Sequence, residues 1–184
     1  EYKIEDVATF DAWKKNKELV LEFYNQRRKQ ILEAVPNDAH LIVADFQKDF
    51  DVQVITQNID DLHERAGSEK VLHLHGEIMK GRSTAKSHLV YLLKHWEIKI
   101  GDKCELGSQL RPHIVWFGED VPEMTKATEL ASDADIFITI GTSLNVYPAA
   151  NLIHVVKNEI PKFLIDPNVL NLDSIDNLTV LKTT

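Results

Sequence analysis

The stretch VQVITQNIDDLHERAGSEKVLHLHGE, residues 52–77, decides how the chain is read. An apolar strand from Val52 to Ile55 ends in Thr56, Gln57 and Asn58. DDLHERAG then reads as a short helix, and KVLHLHG is again extended. Strand, helix and strand in succession are the unit of a parallel sheet. Two carboxylates, Asp60 and Asp61, and two histidines at alternate positions, His73 and His75, fall in the same unit. The segment that sets the fold therefore also holds groups able to do chemistry.

Toward the amino end the chain is helical. Asn16 can cap a helix running through KELVLEFYNQRRKQILEA, with Leu19, Val20, Phe23, Ile31 and Leu32 at helical spacings and Pro36 beyond its end. The spacing predicts a buried stripe of Leu19, Phe23 and Ile31. Asn37 or Asp38 starts a second helix with Leu41, Ile42 and Phe46 inside. Toward the carboxyl end, a polar, irregular region runs from about Lys80 to Arg111. HIVWFG then reads as a strand, PEMTKATELASDA as a helix, IFITIG as a strand, AANLIHVVKN as a helix, KFLID as a strand and NLTVL as a last strand. Short apolar strands alternating with helices predict an α/β fold, a parallel sheet covered on both faces.

Composition narrows the function classes. At 184 residues the chain can hold one sizeable domain with a small insert. A hydrophobic content of 43% with mixed charges predicts a packed, soluble core. The net charge of −8, from 21 basic and 29 acidic residues, argues against nonspecific binding to nucleic acid or to an anionic membrane. No apolar run approaches the ~20 residues of a spanning helix, and the opening EYKIEDVATF is not a secretory signal. The single Cys104 excludes an intrachain disulfide framework and fits a reducing cytoplasm.

Polar groups cluster at the strand ends. VIT runs into Gln57, Asn58 and Asp60; HIVWF into Gly118 and Glu119; IFITI into Gly141, Thr142 and Ser143; FLI into Asp166, Pro167 and Asn168. Ligands of open parallel sheets bind outside the carboxyl ends of the strands, although polar turns alone can end strands this way. Hydroxyls with helix N-terminal amides can hold phosphate, and Asp166 could accept from ribose hydroxyls. No G-x-G-x-x-G occurs among the seven glycines, so the usual dinucleotide fingerprint is absent.

TQNIDDLHERAG, HLHGE, RPHIVWFGEDVP, IGTSLNVYPAANLI and LIDPN, in this order and spacing, resemble the successive motifs of the sirtuins, NAD-dependent protein-lysine deacylases. FYNQRR brings the resemblance nearest to bacterial members of the desuccinylase and demalonylase class. The resemblance implies a Rossmann-like sheet with a small helical and irregular lobe, NAD as cosubstrate, and acyl-lysine proteins or peptides as substrate. Nicotinamide, O-acyl-ADP-ribose and free lysine are the implied products; from charge and the lone cysteine a cytoplasmic protein without nucleic-acid or membrane partners is expected, and it is expected to be a monomer. The resemblance implies His75 as the catalytic base, since an imidazole with a pKa near ~6.5 can accept a proton at neutral pH. Gln57, Asn58 and Asp60 would line the nicotinamide and ribose pocket. Gly141, Thr142 and Ser143 would meet the adenosine-side ribose and phosphates, with Asp166 a further cofactor-side acceptor. Val115, Phe117, Gly118 and Glu119 would pair with the substrate backbone as an extended segment. His73 reads as structural, and a His63/His73/His75 metal site in an unrelated hydrolase is the rival.

Tyr24 and Arg27, at i and i+3, share one helix face. Taken alone, Arg27, Arg28 and Lys29 read as a solvated basic patch. In the class that removes succinyl and malonyl groups, Tyr and Arg at this spacing hold the acyl carboxylate, the guanidinium by a bidentate fork. The chain also departs from the family. Most sirtuins hold a structural zinc with two C-x-x-C pairs, whereas here Cys104 is alone and Ser83 stands near a first-pair position. One thiolate cannot make that site, so no zinc is expected, and the lobe is expected to pack around Leu89, Leu92, Leu93 and Trp96. The family's opening strand, its GAG…S…SG…P.FR loop and its last loop and helix have no counterpart among these residues. An incomplete sheet is therefore expected, and a catalytically inactive sirtuin-like binding module is the alternative. Residues 36–80 and 110–184 are assigned to the NAD-binding domain, and residues 1–35 and 81–109 to the small lobe.

Overall fold

Three helices open the chain: α1 (Ile4–Val7), α2 (Phe10–Lys15) and α3 (Lys17–Glu33). The Asn16 side chain accepts from Leu19 N–H at 3.1 Å and starts α3 as its cap. The buried face of α3 is Val20, Leu21, Tyr24 and Arg28, while Leu19, Phe23 and Ile31 are only half-buried. The apolar spacing thus placed the stripe about one residue off, because the helix buries a cation. Arg28 Nε donates to Ile78 O at 2.6 Å, and Nη1 donates to Trp96 O at 2.7 Å and Asn25 Oδ1 at 2.8 Å. Asn25 also exchanges two hydrogen bonds with the backbone of Ile98. Burial lowers the Arg28 guanidinium to about 10, so it stays charged at neutral pH. The expected solvated patch is therefore split: Arg27 and Lys29 are exposed, and Arg28 is an internal staple.

The structure, a computed structural model, describes residues 2–142, 147–168 and 175–183. The chain divides into two units, Glu1–Asp120 and Val121–Thr184. In the first unit α4 (Asp38–Asp45) follows α3, capped by Asn37 as the sequence predicts. Its Leu41 and Ile42, and Phe46 beyond it, are exposed rather than inside. Strand β1 (Val54–Thr56), helix α5 (Leu62–Ala66) and strand β2 (Val71–His73) form the predicted strand–helix–strand unit, with β1 and β2 parallel and Thr56 opposite His73.

The region expected to be irregular contains an antiparallel sheet in the order β4-β3-β5, made of β3 (Gly76–Ser83), β4 (Val90–Leu92) and β5 (Leu110–Ile114). β5 begins and ends earlier than HIVWFG, and it runs antiparallel to β3 instead of joining a parallel sheet. Pro112 is tolerated because β5 is an edge strand. Gly76 has φ +80°, and a Cβ there would lie 2.1 Å from His113 O, so the turn into β3 admits only glycine. The core gathers Trp13, Val20, Leu21, Tyr24, Ile78, Ile98, Ile114 and Trp116. Each fully buried large apolar side chain contributes about 1.5–3 kcal/mol relative to exposure. In the lobe Ile98 is the buried anchor, with Leu93 packed against the core, whereas Leu92 and Trp96 are exposed.

The second unit contains α6 (Met124–Asp133), β6 (Phe137–Ile140), α7 (Leu152–Val155), β7 (Lys162–Ile165) and β8 (Leu178–Leu181). Its strands are all parallel, in the order β6-β7-β8. Buried Lys162 is solvated by four carbonyls, those of Lys157, Asn158, Ile160 and Asp176, at 2.7–3.3 Å. No helix among the described residues is long and apolar enough to cross a membrane.

Candidate active site

His75 sits in the turn where parallel β2 hands over to antiparallel β3. Three bonds fix that turn: Leu74 N–H to Thr56 O at 2.9 Å, Val115 N–H to His75 O at 2.9 Å, and Ile78 N–H to Ile59 O at 2.8 Å. The half-buried His75 ring places Nδ1 3.0 Å from Gln57 O. A carbonyl can only accept, so Nδ1 carries the proton, and in the neutral ring Nε2 is left with a free lone pair. His73 differs. Its Nδ1 lies 3.1 Å from Asn58 O and its Nε2 lies 2.7 Å from Glu64 Oε1, so both nitrogens are engaged. The two neighbouring histidines thus differ: among the described residues, His73 is bonded at both ring nitrogens and His75 at Nδ1. His63 lies against His40, ring centroids 4.7 Å apart, and burial lowers its pKa. His63, His73 and His75 do not form a group that could hold a metal ion among the described residues.

Around His75 the chain turns tightly. Asn58 N–H donates to Thr56 Oγ1 at 3.0 Å, and Asp60 Oδ1 accepts from Leu62 N–H at 3.1 Å. Gln57 is half-buried and Asn58 exposed. The hydrogen bonds bring Gln57, Asn58, His75 and Val115 together.

The segment after β5 is held by a partly buried ion pair. Glu119 accepts from Arg111 Nη1 at 2.7 Å and Nη2 at 2.9 Å, from Arg82 Nη2 at 3.1 Å, and from Trp116 N–H at 2.9 Å. The Arg111 guanidinium lies 3.2 Å from the Trp116 ring centroid. Burial alone would raise the Glu119 pKa. The hydrogen bonds from Arg111 and Trp116 and the charges of Arg111 and Arg82 outweigh it and hold the carboxyl below its usual range. Phe117 N–H donates to Ala8 O at 3.0 Å, its side chain is 60% exposed, and Gly118 has φ +86° with open space where a Cβ would stand. Arg111, Arg82 and Trp116 are the site-shaping residues missed by sequence reasoning. Nothing periodic links positions 82, 111 and 119, and only strand pairing aligns them.

Tyr24 and Arg27 part company. Tyr24 is buried among Phe23 and Trp116, and burial raises its hydroxyl pKa to about 12. Arg27 is exposed, with its guanidinium 5.3 Å from the Phe23 ring centroid. In the second unit, Gly141 has φ +63° and its N–H donates to Ile165 O at 2.9 Å, which sets it beside Asp166 at the carboxyl ends of β6 and β7. Asp166 is buried, and its Oδ1 accepts from Asn168 N–H at 2.7 Å. Thr142 is half-buried, and Ser143 lies outside the described residues. A buried carboxylate beside a glycine with no neighbour within 4 Å of a Cβ among the described residues suits a hydroxyl-rich ligand such as a nucleoside.

A structural zinc does not fit the lobe. Ser83 Oγ lies 2.8 Å from Ser108 Oγ, and Cys104 Sγ lies 3.4 Å from Ser83 Oγ and 3.1 Å from Ser108 Oγ. Ser83 Oγ also accepts from the N–H groups of Ala85 and Lys86. One thiol and two hydroxyls that satisfy each other lack the four Cys or His ligands such a site needs.

The Sir2 family pattern matches residues 1–148. An NAD-dependent protein deacylase of Bacteroides thetaiotaomicron is 48% identical over 186 residues, covering 98% of this chain and 80% of that protein. An NAD-dependent protein deacylase of Helicobacter pylori is 49% identical over 172 residues, covering 92% and 74%. Among solved structures, a Sir2 homologue–NAD complex superposes with a TM-score of 0.88 at 36% identity, over 98% of this chain and 72% of that one. A Sir2 protein bound to acetylated peptide superposes with a TM-score of 0.80 at 30% identity, over 94% and 76%.

Proposed function

We propose, from the premise that this chain belongs to the Sir2 family, that it is an NAD-dependent protein-lysine deacylase. The observation that carries this is the state of His75: Nδ1–H donates to Gln57 O, which leaves Nε2 to take a proton. NAD, when bound, supplies a ribose carbon from which nicotinamide can leave and a ribose hydroxyl for the base to activate. His75 accepts that proton at Nε2 while Gln57 O keeps the ring oriented. The amides of Gln57 and Asn58 and the carboxylate of Asp60 are assigned to the carboxamide and the nearby ribose. Gly141, Thr142, Ser143 and Asp166 are assigned to the adenosine side. Residues 36–80 and 110–184 are assigned to NAD binding as part of the same proposal.

The acyl-lysine peptide is assigned to the edge at Val115, Phe117 and Gly118. Glu119 serves that edge by clamping it to Arg111 and Arg82. Arg27 is assigned to an acidic acyl group such as succinyl or malonyl, with a monomeric, cytoplasmic enzyme of proteins rather than nucleic acids as the setting. The test is nicotinamide release from NAD in the presence of acetyl-lysine and succinyl-lysine peptides. His75→Ala should cost at least the ~10²-fold of a lost general base. Near wild-type turnover in that variant removes His75 from the chemistry, and no acyl-dependent release from the wild type removes the deacylase reading.

A further inference from the structure

A cavity of about 650 Å³ opens between the first helix and α3, lined by Tyr2, Lys3, Ile4, Val7, Phe23 and Arg27, with Ala8 at its wall. That size is within the range of small-molecule sites, roughly 300–1,000 Å³. Among the described residues its lining side chains are apolar or aromatic except for two cations, and no carboxylate is among them. Neither cation has an ion-pair partner among the described residues. Arg27 makes a single 3.3 Å hydrogen bond to Gln30 Oε1 and lies over Phe23, and Tyr2 packs edge-on against the same Phe23 ring at 5.5 Å. Tyr24 belongs to the buried core and is not among the lining residues.

We infer that Lys3 is a second specificity-determining cation, which with Arg27 receives the terminal carboxylate of an acyl-lysine chain in this cavity. The inference rests on the deacylase reading above and adds to it. Two like charges on the lining of one cavity repel, and an anion bound between them removes that repulsion while gaining charge-assisted hydrogen bonds. An acetyl group would fill the apolar part and leave both cations without a partner. Lys3 reaches the cavity from the first helix's entry and Arg27 from α3, so the acyl preference depends on two elements instead of one helix face.

The test is calorimetric binding of one peptide carrying either succinyl-lysine or acetyl-lysine to the whole chain. Wild type, Lys3→Gln, Lys3→Arg and Arg27→Met are compared at low and moderate salt. The wild type should prefer succinyl, and that preference should narrow as salt rises. Lys3→Gln should reduce the preference about 3–10-fold, the worth of one charge-assisted hydrogen bond at a partly wet site, and Lys3→Arg should retain it. An unchanged preference in Lys3→Gln, with Arg27→Met abolishing it, removes Lys3 and leaves the acyl-carboxylate reading of Arg27 standing. No binding of either peptide, no succinyl preference in the wild type, or a preference indifferent to Arg27→Met overturns that underlying reading itself.

Discussion

Replacing Glu119 with Gln tests whether the proposed peptide edge is held by charge. The carboxylate accepts five hydrogen bonds, two of them a bidentate pair with Arg111 at 2.7 and 2.9 Å. Arg111's side chain is 5% exposed and Glu119's is 22% exposed. Gln keeps the size and one acceptor oxygen, but its amide NH2 faces a guanidinium, and the buried Arg111 charge loses its counter-ion. Removing one partner of a fully buried pair costs about 3–5 kcal/mol. Water reaches one side of Glu119, so the cost here should be about 2–4 kcal/mol. For a chain of this size that lowers Tm by about 4–16 °C. Urea unfolding followed by tryptophan fluorescence reads it directly, because buried Trp116 lies 5.7 Å from Trp13 in the same core. The pH dependence fixes the cause. Glu119 has a lowered pKa in the folded chain, so its contribution is full above the unfolded carboxyl pKa and is lost as pH falls through the folded value. The difference between wild type and variant should therefore be complete at neutral pH and shrink in acid below about pH 4. A loss below about 1 kcal/mol, or one that persists undiminished in acid, refutes the clamp.

Arg28→Met should destabilise the chain by about 2–4 kcal/mol, measured by the same unfolding, because it strands Ile78 O and Trp96 O without donors; a change within about 0.5 kcal/mol would return Arg28 to the surface patch. The purified chain should carry no stoichiometric zinc by elemental analysis, and EDTA should leave its Tm unchanged. Ser108→Ala should weaken the lobe by about 1 kcal/mol, seen as faster hydrogen exchange at residues 103–110. One tightly bound zinc per chain, lost together with the lobe's structure, would contradict the hydroxyl–thiol network.

Local sequence determined whatever depends on near neighbours. Asn16 and Asn37 cap their helices because a side-chain oxygen reaches an N–H three residues on. The strand–helix–strand at 52–77 and the β6 and β7 strands were readable from period, and the candidate histidine was named from the family motif. Tertiary structure decided the pairings between distant segments. The buried stripe of α3 could not be read from apolar spacing, because Arg28 enters the core only where the carbonyls of Ile78 and Trp96 wait for it. β5 could not be separated from HIVWFG, because its ends are set by its antiparallel register with β3 and by the Glu119 clamp, not by its own composition. The two histidines of HLHGE are indistinguishable in a line of letters. They differ because Glu64, nine residues upstream of His73, closes one ring nitrogen by a hydrogen bond, while among the described residues His75 is bonded at Nδ1 alone. Tyr24 and Arg27 share a helix face in sequence, yet the core takes the phenol and leaves the guanidinium on the lining of a cavity that Lys3 also lines, since an aromatic ring gains by burial and an unpaired cation does not.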